Sequence, residues 1–212
     1  MTMSSSAQVG GAVPDSASRG GQGAPVIDGA DMAAMAESAE SPESPESAGI
    51  AEADVGQFRR AMGRFATGVT VVTTVAGGND HAMTANAVTS VSLEPLLMLC
   101  CVEQEARFHD AVLEAGVWGV SILAAGARPD AEWLATRGRP LHGQLDRLPH
   151  TRGPATGVAL LDDALATFEC RTTESYPAGD HTIVVGRVLA VTVADHGDHA
   201  LLYHRGRYGT LT

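Results

Sequence analysis

Val69-Thr-Val-Val-Thr-Thr-Val-Ala-Gly-Gly-Asn-Asp-His-Ala-Met-Thr-Ala-Asn-Ala-Val-Thr-Ser-Val-Ser92 is the stretch whose reading decides the fold. Residues 69–76 are almost wholly β-branched, which suits a pleated strand and disfavours a helix. Gly77-Gly78-Asn79-Asp80 is a strong hairpin turn, because two adjacent glycines tolerate the positive φ values of the tight turn types. Residues 81–88 then return as a second strand. A tight turn between two strands makes them antiparallel neighbours, so the domain is built on an antiparallel sheet.

Working outward, residues 55–65 place Val55, Phe58, Met62 and Phe65 on one helical face, with Arg59, Arg60 and Arg64 on the wet side. Thr67-Gly68 is expected to end that helix. After Glu94-Pro95, residues 96–102 are apolar throughout and predict a third strand buried on both faces. Residues 107–115 have helical spacing (Phe108, Ala111, Val112, Ala115) and stop at Gly116, a good residue to follow a helix. Residues 117–123 read as a strand, 128–137 as a short helix and 138–157 as loop. Residues 164–173, 181–193 and 201–203 bring the strands to at least seven. The fold class is therefore mainly β: one long antiparallel, barrel-like sheet with a few short helices.

Of 212 residues, 44% are apolar and 4% aromatic, and no aromatic residue precedes Phe58. Residues 1–53 are rich in Ser, Ala, Gly, Pro and Glu, including Ser41-Pro-Glu-Ser-Pro-Glu-Ser47. So little apolar surface cannot offset an ordering entropy of about 1–2 kcal/mol per residue, which predicts a disordered acidic tail before a domain at 54–212. Much of the net charge of -11 lies in that tail, and all 14 basic residues are arginine. An acidic chain is a poor match for nucleic acid. No apolar run reaches the roughly 20 residues of a membrane span, and the N-terminus lacks the pattern of a secretory signal. Three cysteines without a CxxC pattern fit reduced thiols in the cytoplasm, and Cys100 and Cys101 read as strand residues rather than nucleophiles. A metal turn at His196-Gly-Asp-His199 lacks a third ligand nearby, so no metal is expected. Phosphate-loop, dinucleotide-fold, zinc-protease and nucleophile-elbow signatures are all absent.

The ordered part resembles the short-chain flavin reductases with an FMN-binding split barrel, the reductase components of two-component flavin-dependent monooxygenases. The resemblance rests on Phe58-Arg-Arg-Ala-Met-Gly-Arg-Phe-Ala-Thr-Gly-Val-Thr-Val-Val-Thr73 and Met83-Thr-Ala-Asn-Ala-Val-Thr-Ser-Val-Ser92. Weaker support comes from Glu94-Pro95, Pro177-Ala-Gly-Asp-His181 and Leu202-Tyr-His-Arg-Gly-Arg-Tyr208. It implies a split β-barrel of Greek-key antiparallel strands. It also implies an NAD(P)H:flavin oxidoreductase that reduces free FAD or FMN with NADH or NADPH. Such an enzyme is a homodimer and hands reduced flavin to a separate monooxygenase, in some cases in antibiotic biosynthesis. An FMN-retaining split-barrel oxidase and a non-catalytic flavin-binding protein are the alternatives, and recruitment of a partner by the acidic tail is another.

The resemblance assigns Thr67, Gly68 and Val69, then Thr84, Ala85, Asn86, Thr89 and Ser90, to flavin binding. By residue types alone the second group reads as a Thr/Ser-rich strand-to-loop turn. As a site, its small residues would let backbone approach a flat ring, and its donors would favour the negative charge of reduced flavin. Cys101, Glu103, Ala106, Arg107 and Phe108 would cradle the ribityl chain and phosphate, with a helix N-terminus and Arg107 suited to the anion. Phe108 replaces a small hydroxyl residue common in the family, and Glu103 and Glu105 add negative charge beside that phosphate. Tyr203, Arg207 and Tyr208 resemble the segment that closes the pocket, though each alone also suits an edge strand. The resemblance places His181 beside the nicotinamide as the catalytic-site residue, while the residues alone allow a turn histidine bonded to Asp180.

Overall fold

The structure, a computed structural model, describes residues 53–195 and 199–211. The acidic tail, apart from Ala53, and His196 lie outside the described residues.

The deciding stretch folds as a hairpin. β2 (Thr70–Ala76) pairs antiparallel with β3 (Asn79–Ala85), Ala76 standing opposite Asn79. The turn is thus Gly77 and Gly78 alone, at φ 56° and 74°, values a side chain at either position would strain. β4 (Val88–Leu93), β5 (Leu96–Glu103), β6 (Val117–Leu123), β9 (Ala164–Ala178) and β10 (His181–Val193) complete a seven-stranded sheet in the order β3-β2-β6-β9-β10-β5-β4. Every pairing in it is antiparallel.

β3 and β4 occupy opposite edges of this sheet, yet only Asn86 and Ala87 connect them. A flat seven-stranded sheet would hold its edges roughly 29 Å apart, whereas two linking residues reach only roughly 10 Å. The sheet must therefore roll until its edges meet at that end, as a split β-barrel. A second sheet, β1 (Thr67–Gly68), β11 (Leu201–His204) and β12 (Arg207–Thr210), joins at Val69. The Val69 N–H donates to the Leu201 carbonyl and its own carbonyl accepts from the Leu123 N–H, both at 3.0 Å.

Two apolar clusters flank β2. Val72, Cys100, Val102, Phe108, Trp118, Val120 and Val184 fill the barrel. Val71 faces a second cluster formed with α3 (Arg128–Ala135) and the short pair β7 (His150–Arg152) and β8 (Ala159–Leu161). β2 is therefore buried on both faces, as is β6 over Trp118–Ser121. β5 is not, contrary to the expectation from its apolar run. Met98, Cys100 and Val102 are buried, while the alternate residues are only partly covered and Leu96 is 48% exposed. An apolar run shows that a strand's surroundings are apolar, and on one face of β5 those surroundings are a cleft.

α2 (Arg107–Ala115) and β6 have their expected limits, with Gly116 at φ 64° ending the helix. α1 (Val55–Met62) is capped by Asp54, whose carboxylate accepts the Gln57 N–H at 2.9 Å. It stops at Gly63, earlier than expected, because Thr67-Gly68 is drawn into β1. Its apolar stripe is uncovered among the described residues: Val55, Phe58 and Phe65 are each more than 60% exposed. The segment expected to be one strand at 81–88 is instead the end of β3, the link and the start of β4.

Trp118 is fully buried beneath β10, and a Cβ at Gly186 would stand 2.7 Å from its ring. Gly186→Ala should lower stability by about 1–3 kcal/mol through overpacking, read as a drop of several degrees in the thermal midpoint. An unchanged midpoint would show that the indole shifts freely.

Candidate active site

The roll of the sheet leaves a cleft of about 800 Å³ between β1, the β3–β4 link, β4 and β5. Its floor is apolar, with Met98, Val120, Phe168 and Val188. Its polar lining includes Thr67, Asn86, Thr89 and Ser90, on β1, the link and β4, while Thr70 and Ser92 are already bonded to the Ala85 carbonyl and the Glu94 N–H. The Cys101 N–H donates to the Ala87 carbonyl at 3.0 Å, which pins the link to β5. Gly68 borders the cleft with nothing within 4 Å of where a Cβ would stand, so its backbone is open to close approach. The Thr67 Oγ1 is buried without a hydrogen-bond partner, and the Asn86 and Ser90 side chains make no bond among the described residues. Polar donors at the edge of a flat apolar floor match a flavin ring, whose own edge carries the N and O atoms, so these residues fit that group.

A second cleft, about 370 Å³, lies between β3, the start of α2 and the segment after α3. It gathers five expected residues: Thr84, Glu103, Ala106, Arg107 and Phe108. Ala106 stands at the N-cap of α2 and has no side chain to cap it, so the helix's first N–H groups and positive end are left for a ligand. The Thr84 hydroxyl donates to the Ala131 carbonyl at 2.6 Å, a bond that ties β3 to α3. Phe108 is 3% exposed and packs in the barrel.

Three basic residues of this cleft went unread in the sequence: His81, Arg137 and Arg139. Arg137 Nη2 donates to both Glu103 oxygens at 2.6 and 2.7 Å, and this bond raises the guanidinium's pKa. Arg139 is half-buried; burial, then the neighbouring charge of Arg107, lowers its pKa. It donates to the Thr136 carbonyl at 2.9 Å and to the Ala82 carbonyl, while its Nε is buried without a partner. Arg107 Nη2 donates to the Arg139 carbonyl. The signal in the sequence is the pair Arg137-Gly138-Arg139 itself, which straddles the expected helix 128–137 and the expected loop 138–157; α3 ends at Ala135, so Arg137 falls in the segment after it.

The other expected residues lie elsewhere. Val69 and Ala85 are core residues, 1% and 7% exposed. Arg207 and Tyr208 line a third cleft of about 690 Å³ with His204 and Arg205, and it shares Ala66 with the first. Tyr203 meets Tyr208 edge to face, ring centres 5.3 Å apart. His181 stands opposite Glu103 in the β10–β5 pairing, so it sits one strand from the second cleft. Its Nδ1 is 2.7 Å from Asp180 Oδ1, and this bond holds the Asp180 carboxyl below its usual range. The turn bond to Asp180 is thus present, on a ring that stays 43% exposed.

Cys101 lines the first cleft, whereas Cys100 and Cys170 are buried, and desolvation pushes both thiols up to about 12. Neither can supply a thiolate near neutral pH. Among the described residues no three His, Cys, Asp or Glu side chains could hold a metal ion, and no helix is long and apolar enough to cross a membrane.

An NADH-dependent FMN reductase, AsuE2, from Streptomyces nodosus subsp. asukaensis is 40% identical over 157 residues, 73% of this chain and 84% of that protein. The crystal structure of BorF, the flavin reductase component of a bacterial two-component tryptophan halogenase, is 47% identical. It superposes with a TM-score of 0.70 over 74% of this chain and 98% of its own. The NADH:FAD oxidoreductase SgcE6 of Streptomyces globisporus C-1027, solved with NAD and FAD fragments, is 36% identical with a TM-score of 0.70, over 75% and 93% of the two chains. Residues 62–212 match the family model described as "Flavin reductase like domain", and this chain belongs to that family.

Proposed function

We propose that this protein is a nicotinamide-dependent flavin reductase. It reduces FAD or FMN with NADH, the donor named for its relatives, and releases the reduced flavin to a separate flavin-dependent enzyme. The observation that carries the reading is the first cleft, an apolar floor edged by unengaged polar groups that include the orphaned Thr67 hydroxyl.

Bound flavin supplies an electron-poor ring that accepts hydride from reduced nicotinamide. The chain contributes position and charge. The floor residues exclude water from one ring face. The Thr67 hydroxyl and Asn86 amide donate toward the edge where negative charge develops, so they act more strongly after transfer than before it. Arg107 and the open start of α2 hold the phosphate end. His181, steadied by Asp180, presents its free ring edge for the carboxamide of the nicotinamide and orients it without taking up the transferred hydrogen. The three free thiols support a reducing compartment, the cytoplasm.

The uncovered stripe of α1, together with exposed Val91, Leu93, Leu96, Val191 and Val193 on β4, β5 and β10, supports a homodimer. These strands are neighbours in the sheet, and Phe65 and Leu93 border the first cleft, so a second copy would also close it.

Dinucleotide oxidation should require added flavin and saturate in it. Turnover independent of added flavin, with FMN retained through purification, would show an oxidase instead. Flavin binding without turnover would overturn the enzymatic reading.

An unpartnered buried hydroxyl costs about 1–3 kcal/mol. Thr67→Val should therefore raise the melting temperature of the flavin-free protein while weakening flavin binding roughly three- to tenfold. Equal flavin affinity in the variant would remove Thr67 from the site. His181→Ala should raise the dinucleotide KM roughly tenfold with the flavin dissociation constant retained, and wild-type kinetics would leave His181 a turn residue. Phe58→Asp puts a charge on the uncovered stripe and should convert a dimer to monomers in sedimentation, whereas a monomeric wild type would refute the interface.

A further inference from the structure

We infer that the second cleft is a phosphate subsite of deliberately limited strength, because Glu103 competes with the incoming phosphate for Arg137. The inference rests on the flavin reductase reading and adds to it a residue that sets affinity and release.

Arg107, Arg137 and Arg139 surround the cleft together with Glu103 and Glu105, so the formal balance favours an anion by one charge. The three arginines are not equivalent. Arg139 is committed to the Thr136 and Ala82 carbonyls and holds its own segment against β3. Arg107 uses one nitrogen on the Arg139 carbonyl, which leaves the rest of its five donors for the cleft. Arg137 is the adaptable one. Its side chain is 77% exposed and a single nitrogen, Nη2, serves both Glu103 oxygens, so Nη1 and Nε are not used by the pair. Gly138, at φ 76°, follows it immediately and gives the segment a joint.

Magnitudes decide how this pair behaves. Glu103 is itself 33% exposed. An exposed ion pair is worth about 0–1 kcal/mol, whereas charge-assisted bonds between a guanidinium and phosphate oxygens are among the stronger ones available. A phosphate entering beside Arg107 can therefore draw Arg137 away from Glu103. The competition lowers net affinity, and a product that must leave needs that limit. The phosphate ester could be carried by the flavin or by the dinucleotide, and the two sources separate by experiment.

Binding of riboflavin, FMN and FAD, followed by flavin fluorescence quenching, tests this in the wild type, Arg137→Ala and Glu103→Gln. Arg137→Ala should weaken FMN and FAD roughly three- to tenfold relative to riboflavin. Glu103→Gln should tighten them by a similar factor and lower kcat as release slows. The same shift in KM for NADH relative to reduced nicotinamide mononucleotide, with flavin ratios unchanged, would assign the subsite to the dinucleotide phosphate. Unchanged ratios in both series for Arg137→Ala, or weaker phosphate binding in Glu103→Gln, would overturn the inference. Absence of flavin turnover in the wild type would remove the reductase reading, while the binding ratios would still report on the subsite.

Discussion

The two-residue link between β3 and β4 is the constraint on which the rest depends. Asn86 and Ala87 bring together the two edges of a seven-stranded sheet, and roughly 10 Å of chain cannot do so unless the sheet closes on itself. Closure puts Trp118, Val120 and Val184 in a common interior. It also delivers Asn86, Thr89 and Ser90 to the rim of the resulting cleft. The candidate site is thus a by-product of closing the barrel, and the exposed Asn86, Thr89 and Ser90 avoid the desolvation cost that the buried Thr67 hydroxyl carries.

Electrostatics separates the two clefts. The first is apolar with a few directional donors and suits a large neutral ring. The second concentrates arginine around the uncapped start of α2. By sequence alone, two glutamates beside a phosphate site are unfavourable. The fold answers that for Glu103 by setting Arg137 against it, from a segment far along the chain. Charge balance in such a cleft belongs to the tertiary structure, since the residues that neutralise each other are 34 positions apart.

What the sequence made legible follows from how local each signal is. β6, β10 and α2 are bounded by glycines, turns or a clear change of period, and their limits are where those signals put them. β7, β8 and β12 run only three or four residues and depend on partners rather than on their own pattern. The double burial of β2 and the half-open state of β5 were not readable, because both strands are apolar and only the fold decides what covers each face. Among the candidate site residues, Thr67, Asn86, Thr89 and Ser90 share one cleft and Glu103, Ala106 and Arg107 another, whereas Cys101 lines the first cleft and Thr84 the second, each apart from the group its segment implied. Arg139 is hidden because a loop has no period from which to infer where its side chains go, and Arg137 because the helix expected to carry it ends at Ala135.

The broad apolar floor and the weak anion pairing bear on one requirement. A reductase that passes its product on must hold flavin long enough for hydride transfer and then let it go. A ring resting on a broad apolar floor gains affinity in proportion to the area it buries, and that term alone would retain oxidised and reduced flavin alike. One feature opposes retention: an arginine already engaged by a carboxylate. Affinity is thereby limited at the phosphate end of the ligand, by competition for Arg137. The donors that respond to charge on the reduced ring can then serve the chemical step without making its product permanent.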